Sequence, residues 1–410
     1  MGTAKREDNR RMATPNRLEV NINAEAGSAV EMVANLVEGA VTSRATDIHI
    51  EPRRDNINIR YRVDGFLYDV GQVNLQLGRE IISRIKILAD MDITERRLPQ
   101  DGHFRFSADG ADYDMRISTV PTNFGERMGI RLAEGGRAFT KIDDLGLSPA
   151  AADIASSFIQ RPHGIVLATG PVGSGKTTTL YSFIAKINKS ELNVMSIEDP
   201  IEYLIPGASQ IEVNYRVNFD FVQGLRAILR QDPDVILVGE IRDEETAKIA
   251  IRAGMTGMLV LSTLHANDAV GSVTTLANFQ INRFLIANAL VGSLAQRLVR
   301  KICPNCSRPA KPGKTASESL HVEEEQLRGF KLRQGAGCEQ CLQTGYVGRT
   351  GIFEIFNVTP KLRSMIMHGA PEEELRKVAV QEGLIPLREA GLEKLRDGVT
   401  TVEEYVRIFG

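Results

Sequence analysis

Tryptophan is absent from this 410-residue chain, aromatic residues make up only 6%, and the four cysteines all fall between positions 303 and 341. Long apolar runs are missing too: none approaches the roughly 18 residues that a membrane-crossing helix needs. The opening Met1-Gly2-Thr3-Ala4-Lys5-Arg6-Glu7-Asp8 lacks the apolar stretch of a signal peptide. Arg6 also stands where a myristoylation signal requires Ser or Thr. No sign of charge dominates, since Lys plus Arg number 50 and Asp plus Glu 52, for a net −2. That excludes a protein held on nucleic acid by its overall charge, although a local patch escapes the argument. With 42% hydrophobic and 25% charged residues the chain reads as globular, soluble and cytoplasmic, long enough for two or three domains.

The strongest local signal is Gly170-Pro171-Val172-Gly173-Ser174-Gly175-Lys176-Thr177, which meets G-x-x-x-x-G-K-[ST] at every required position. It follows the apolar run Ile165–Ala168 and precedes a helical stretch beginning with Thr178, the strand–loop–helix context this motif demands. Glycines there let backbone N–H groups close around phosphate oxygens at a helix N-terminus. Lys176 is expected on the β- and γ-phosphates and the Thr177 hydroxyl on Mg²⁺. A plain Gly-rich turn is the bland alternative. The expectation is a site for ATP or another nucleoside triphosphate.

Further short apolar runs, Val194–Ile197, Val235–Val238 and Met258–Leu261, alternate with helical stretches and predict buried parallel strands with crossover helices. Acidic clusters close two of them: Ile197-Glu198-Asp199-Pro200-Ile201-Glu202, and Asp232 to Asp243 around Glu240. Glu240 stands where a carboxylate for Mg²⁺ and its water belongs, with Gly239 in the place usually held by Asp. His265 follows the last run, positioned to meet the γ-phosphate. Singly, each is weak: strand-end carboxylates often cap helices, and a lone His is commonly structural, as His49 and His103 are read here.

Upstream, residues 1–27 carry a polar, basic start and are expected to be a disordered tail, followed by mixed helix and strand over 28–132 and a Gly-rich linker at 133–142. Ile81, Ile82, Ile85, Leu88 and Met91 recur at helical spacing, and Ile57–Val63 alternates as a strand does. Thr400-Thr401-Val402-Glu403 offers a capping box near the C-terminus. Cys303, Cys306, Cys338 and Cys341 form two C-x-x-C pairs with 31 residues between them. Two matched pairs and no spare thiol read as a structural four-thiolate zinc site with an insertion looped out. Disulfides and a redox pair are the alternatives.

Taken in order, these motifs make the sequence resemble the secretion-superfamily traffic ATPases, the motors of type II secretion and type IV pilus assembly. Residues 170–177, 197–202, 232–243 and 259–268 match that family's phosphate loop, Asp box, modified Walker B and His box. The resemblance begins at Ser43–Pro52 and runs through Tyr61–Gly65, Arg96–Gly102 and Ser118–Thr122 to Gly348-Arg349-Thr350-Gly351-Ile352-Phe353-Glu354 and the tail, about 370 residues in all. It implies a PAS-like α+β N-terminal domain (28–132) joined to an α/β RecA-like P-loop domain (143–410). The latter includes the zinc module (301–350) and a helical C-terminal region (351–410).

By the same resemblance Glu240 positions Mg²⁺ and the attacking water, Glu198 and Glu202 are further candidates for activating water, and His265 senses the γ-phosphate. Arg116 and Arg131 match the N-domain arginines that close over the nucleotide; the alternative for both is a surface ion pair. The four cysteines favour the assembly or secretion branch over pilus retraction. Members usually carry a further N-terminal docking domain, and here only some 27 residues precede the PAS-like region. The implied protein is a hexameric ATP-hydrolysing motor. It would work at the cytoplasmic face of the inner membrane, peripherally, through a platform protein, with no nucleic-acid partner. A nucleic-acid translocase and a nucleotide-binding scaffold without turnover are the rival readings.

Overall fold

The computed structural model describes residues 28–108, 110–134, 140–187, 190–310, 320, 322, 327 and 329–410; the tail expected over 1–27 lies outside them. The chain divides into two compact units, Met1–Gly135 and Gly136–Gly410.

In the first unit, α1 (Ala29–Thr42) starts at Ser28, whose side chain and that of Glu31 cap each other's backbone N–H. The strands β1 (Ala45–Pro52), β2 (Ile57–Val63) and β3 (Phe66–Val73) follow as an antiparallel meander. Next comes α2 (Leu75–Leu88), then β4 (Gln100–Ala108), β5 (Ala111–Thr122) and β6 (Gly125–Glu134). The sheet order is β3-β2-β1-β6-β5-β4. Both helices bury apolar stripes, among them Leu36 and Val37 of α1 and Ile81, Ile82 and Ile85 of α2, as the spacing required. Met91 lies beyond the helix, which ends at Leu88 because Asp90 takes a positive φ. β6 runs to Glu134, so it takes up the first two residues of the stretch read as a linker.

The second unit opens with α3 (Pro149–Ile159), β7 (Gly164–Thr169), α4 (Lys176–Ile187), β8 (Val194–Glu198), β9 (Ser209–Glu212) and α5 (Phe221–Ile228). It continues with β10 (Val235–Ile241), α6 (Glu244–Met255), β11 (Leu259–Leu264), α7 (Gly271–Asn278), α8 (Arg283–Ala289) and β12 (Leu290–Ile302). The short hairpin β13 (Ser307–Pro309) and β14 (Arg333–Gly335) precedes β15 (Tyr346–Asn357). Four helices end the chain: α9 (Pro360–Met367), α10 (Glu372–Gln381), α11 (Leu387–Arg396) and α12 (Val402–Phe409).

The sheet order is β15-β12-β7-β11-β10-β8-β9, parallel except for β15. Every residue of β7, β8 and β11 is buried, which is why these strands read as unbroken apolar runs rather than alternating ones. α6 crosses β7 so closely that a Cβ at Gly254 would lie 3.0 Å from the Gly164 carbonyl carbon. No helix among the described residues is long and apolar enough to cross a membrane.

The last helix starts one residue later than the expected capping box placed it, and the box is not formed. Thr401 is the N-cap of α12, accepting from Glu404 N–H, while Thr400 donates to the Arg300 carbonyl. Glu404 does not return the favour; its carboxylate takes Arg300 and Arg407 instead.

Candidate active site

Between β7 and α4, Gly170, Gly173 and Gly175 all hold positive φ. At Gly170 the reason is also steric, for a Cβ there would lie 2.6 Å from the Gln296 carbonyl oxygen and 2.8 Å from Ser174 Oγ. Pro171 and Val172 form the exposed tip, Val172 being 90% accessible. Lys176 folds back over the loop, Nζ donating to the carbonyls of Gly170 at 2.8 Å and Pro171 at 3.1 Å. Burial draws its pKa below the usual lysine value, against the opposing charge of Glu240. Thr177 and Thr178 continue into the first turn of α4, where backbone N–H groups and the helix dipole favour an anion.

A cavity of about 290 Å³ opens beside this loop, with Lys176, Thr177, Glu198, Glu202, Glu240 and His265 in its lining. The structure thus brings together the second-unit residues singled out by their motifs. β10 carries an extra residue against β11, since Val238 pairs with Ser262 but Ile241 with Leu264. Such a bulge re-aims the side chains within it, and here it presents Glu240 to the cavity. Gly239 fits because a Cβ there would stand 3.2 Å from the backbone of Glu198 on β8.

Arg242 Nε donates to Glu240 Oε2 at 2.6 Å. His265 Nε2 stands 2.5 Å from Glu240 Oε1, off the line of a hydrogen bond, so that this buried oxygen has no hydrogen-bond partner among the described residues. The buried Ser174 Oγ lacks one as well. Orphaned polar atoms of this kind are costly. A cation at Glu240 and Thr177 and a phosphate at the loop suit these donor and acceptor types, so the residues fit Mg²⁺ with a nucleoside triphosphate.

Glu198 is buried and accepts three hydrogen bonds, from Tyr181 Oη, from Ser196 Oγ at 2.6 Å and from Gln210 Nε2 at 3.0 Å. Both its oxygens are committed, and it braces β8 against α4 and β9. Burial and the Glu198 charge push the Tyr181 hydroxyl far above its usual range, so Tyr181 remains the donor. Glu202 is half-buried at the cavity edge. Asp243, from the same acidic cluster as Glu240, caps α6 through Thr246 N–H at 2.8 Å.

In the first unit Arg116 of β5 and Arg131 of β6 are directly opposed, which puts both on one face. Arg131 Nε lies 3.4 Å from Asp47 Oδ1, and Arg116 Nε 3.5 Å from Asp114 Oδ2. These are the surface ion pairs weighed as the alternative; each guanidinium remains partly accessible.

Two residues of β12 were not singled out in advance. Gln296 is 2% exposed and accepts from Thr179 Oγ1 of α4 at 2.7 Å. Arg297 reaches over the phosphate loop, donating to the Gln296 carbonyl at 3.0 Å and the Asn267 carbonyl at 2.9 Å. Burial pulls its pKa below the usual value, with Glu354 and Asp268 opposing. No spacing signal points to either, since the contacts arise only when β12 pairs with β7.

Away from this site the four cysteine sulfurs all lie within 4.8 Å of one another. Cys303–Cys338 and Cys306–Cys341 are 3.8 Å apart, and Cys338–Cys341 3.6 Å. A disulfide needs about 2.05 Å. The edge of a tetrahedron with metal–sulfur bonds of about 2.3 Å is about 3.8 Å. The four thiols are therefore spaced as a tetrahedral metal site would need and could hold a metal ion, with hydrogen bonds from Asn305 and Cys341 drawing the Cys338 thiol down to about 6.

The model of the type II/IV secretion system protein family matches residues 23–407. Over 384 residues the chain is 44% identical to the type II secretion system protein HxcR of Pseudomonas aeruginosa, covering 94% of this chain and 78% of that one. It is 42% identical over 390 residues to the type IV pilus assembly ATPase PilB of Thermus thermophilus, covering 95% of this chain and 43% of PilB. Among solved structures, the fold is similar to the Legionella pneumophila ATPase DotB, with a TM-score of 0.71 at 20% identity over 96% of this chain and 99% of DotB. It is also similar to the pilus retraction motor PilT with bound ADP, at a TM-score of 0.62, 24% identity, and 91% and 95% coverage. With nearly the whole length matched and the phosphate loop, Glu240 and His265 gathered on one cavity, this chain belongs to the type II/IV secretion system protein family.

Proposed function

We propose that the chain is an ATPase motor that powers assembly of pilin-type filaments, in type II secretion or type IV pilus biogenesis. The observation that carries this is Glu240, whose buried Oε1 stands 2.5 Å from His265 Nε2 and has no hydrogen-bond partner among the described residues, facing the cavity with Lys176 and Thr177. Lys176 leaves the Gly170 and Pro171 carbonyls for the β- and γ-phosphates, and the loop N–H groups bind the remaining oxygens. Thr177 and Glu240 would hold Mg²⁺, which offsets the phosphate charge. Glu240 orients the attacking water, with Glu202 at the cavity edge as a second acid, while Glu198 holds β8 in place. His265 reports the γ-phosphate. The loop from His265 to Ala269 carries that report onward.

Arg116 and Arg131, on one face of the first unit, bring a fork of donors to the developing phosphoryl charge when that unit closes on the nucleotide. Cys303, Cys306, Cys338 and Cys341 would hold a structural zinc ion. The working form is a homo-hexamer at the cytoplasmic face of the inner membrane, acting on a platform protein. The cysteine module favours assembly or secretion over retraction, in line with the relatives HxcR and PilB.

The test is steady-state Mg²⁺-ATP hydrolysis by the purified chain with mass measured on the same samples. Turnover that rises as the mass moves from monomer to six-fold assembly supports the motor. ATP binding without turnover, persisting in an enforced hexamer, favours the scaffold reading.

A further inference from the structure

Glu354 is an acid in an apolar setting. It sits in β15 at 2% exposure between Phe353 and Ile355, both buried. A carboxylate so placed is costly unless its oxygens are occupied, and its partners come from two different directions. Oε1 accepts from Ala269 N–H at 2.8 Å, and Oε2 from Leu387 N–H at 3.1 Å. Ala269 closes the segment that begins at His265 and leads into α7. Leu387 is the first residue of α11, and its N–H is one that the helix itself leaves unmatched.

Arg376 of α10 completes the junction. Its Nη2 lies 2.7 Å from Asp268 Oδ2 and its Nη1 3.8 Å from Glu354 Oε1. Burial pushes the Glu354 carboxyl up and the Ala269 N–H pulls it back, while Asp268 and Arg376 act in opposite senses.

The other side of the same segment is tied to the nucleotide site. Thr169 Oγ1, immediately before Gly170, donates to the Asp268 carbonyl at 3.3 Å. Arg297, lying over the loop, donates to the Asn267 carbonyl. His265 is therefore mounted on a strip of chain gripped by the phosphate-loop strand on one side and by the C-terminal helices on the other. On the helix side the polar grip on the strip comes from Glu354 and Arg376, beside the apolar packing of Ala269 and Val270 in one cluster with Leu375, Ala379 and Leu387, while Thr274 of α7 donates to Glu372 of α10.

We propose that Glu354 is a positioning residue for ATP hydrolysis: by joining Ala269 to Leu387 it makes the placement of His265 depend on α10 and α11. This rests on the ATPase reading above. A filler acid holding β15 in its sheet would draw its donors from neighbouring strands. Instead Glu354 takes none from β12, and its two backbone donors come from the strip before α7 and from the start of α11. Movement of the C-terminal helices, wherever a partner grips them, is then felt at the γ-phosphate sensor.

The experiment uses the full chain with Glu354→Gln, Arg376→Met and the double variant, measuring kcat, KM and ATP affinity beside amide exchange. Glutamine keeps one acceptor oxygen but turns an NH₂ toward the second N–H, so the junction opens with little change in volume. Expected is a loss in kcat of about 10- to 100-fold, the scale of an ångström-level misplacement of a catalytic group. ATP affinity stays within about threefold, because the phosphate loop itself is untouched. Exchange rises together in 265–271 and 384–390. Arg376→Met, at a side chain 31% exposed, gives a smaller loss, and the double variant is no worse than Glu354→Gln, as for residues acting as one unit. Wild-type kcat in a folded Glu354→Gln protein overturns the proposal, as does a kcat loss with unchanged exchange in 265–271. Absence of turnover in the wild type that persists in an enforced hexamer instead sinks the ATPase reading, and the joint exchange response, read without ATP, tests the Glu354 link on its own.

Discussion

Stripping the metal from the cysteine site, with a strong chelator or by Cys341→Ser, has a consequence whose size and place follow from the structure. The sulfur–sulfur distances of 3.6 to 3.8 Å match a tetrahedral thiolate site, and such sites contribute of order 10 kcal/mol of folding free energy. Among the described residues the β13–β14 pairing and an apolar cluster also hold this part of the chain. Its apolar cluster is Leu320, Leu327 and Leu332 against Leu395 of α11 and Tyr405 of α12. Three buried leucines yield about 5 to 9 kcal/mol. Metal loss is therefore predicted to unfold the module locally and expose α12 and the end of α11, leaving β7, β10 and β11 intact. Metal analysis should give one zinc per chain. Hydrogen exchange of the stripped protein should rise in 303–309, 333–345 and 395–409, with ATP affinity unchanged within about threefold. A protein isolated without metal, whose protection in these segments equals that of a zinc-loaded sample, refutes the reasoning.

Two further predictions concern packing and charge. Glu404 is 1% exposed and accepts from Arg300 and Arg407; Glu404→Ala should cost about 3 to 5 kcal/mol, the penalty for opening a buried ion pair, read as a Tm lower by about 6 to 20 °C. Burial raises the Glu404 carboxyl, but the two arginines outweigh it and hold the group below its usual range. Its contribution is therefore full above the unfolded value near 4.5 and is lost as pH falls through the folded pKa. The Tm gap between wild type and Glu404→Ala should accordingly narrow from pH 7 to pH 4, and a constant gap contradicts this. Gly170→Ala sets a Cβ 2.6 Å from a carbonyl in β12, a strand paired on both sides, whereas a Cβ at Gly173 meets nothing within 4 Å. Both substitutions pay the positive-φ strain of about 1 to 2 kcal/mol, but Gly170→Ala should weaken ATP binding at least tenfold more than Gly173→Ala; equal losses contradict the packing argument.

How far the sequence could be read depended on whether the signal was local. The phosphate loop was legible because its glycines sit at fixed spacing between an apolar strand and a helix, and the structure gives all three a positive φ. The parallel strands were legible because burial on both faces leaves an unbroken apolar run. β15 was not separated from the helical C-terminal region, although it runs from Tyr346 to Asn357 and helices resume only at Pro360. It pairs antiparallel at the sheet edge, and the sequence between it and the last parallel strand gives no register. Gln296 and Arg297 escaped notice because their partners lie 117 and 30 residues away. Glu198 looked as available as Glu240. Only the fold reveals that Tyr181, Ser196 and Gln210 already occupy it, while a bulge in β10 turns Glu240 to the cavity beside His265. The expected capping box is not formed: the N-cap of the last helix is Thr401, and the Glu404 carboxylate accepts from Arg300, over a hundred positions away.

The central claim, that Glu240 activates water for hydrolysis at an otherwise intact nucleotide site, is tested most directly by Glu240→Gln. The amide keeps the shape and removes the charge, so Mg²⁺-ATP should still bind within about tenfold of wild type while steady-state turnover falls by about 10² or more. Filter-bound radiolabelled ATP would then remain uncleaved on the variant. Wild-type turnover by a folded Glu240→Gln protein contradicts the account.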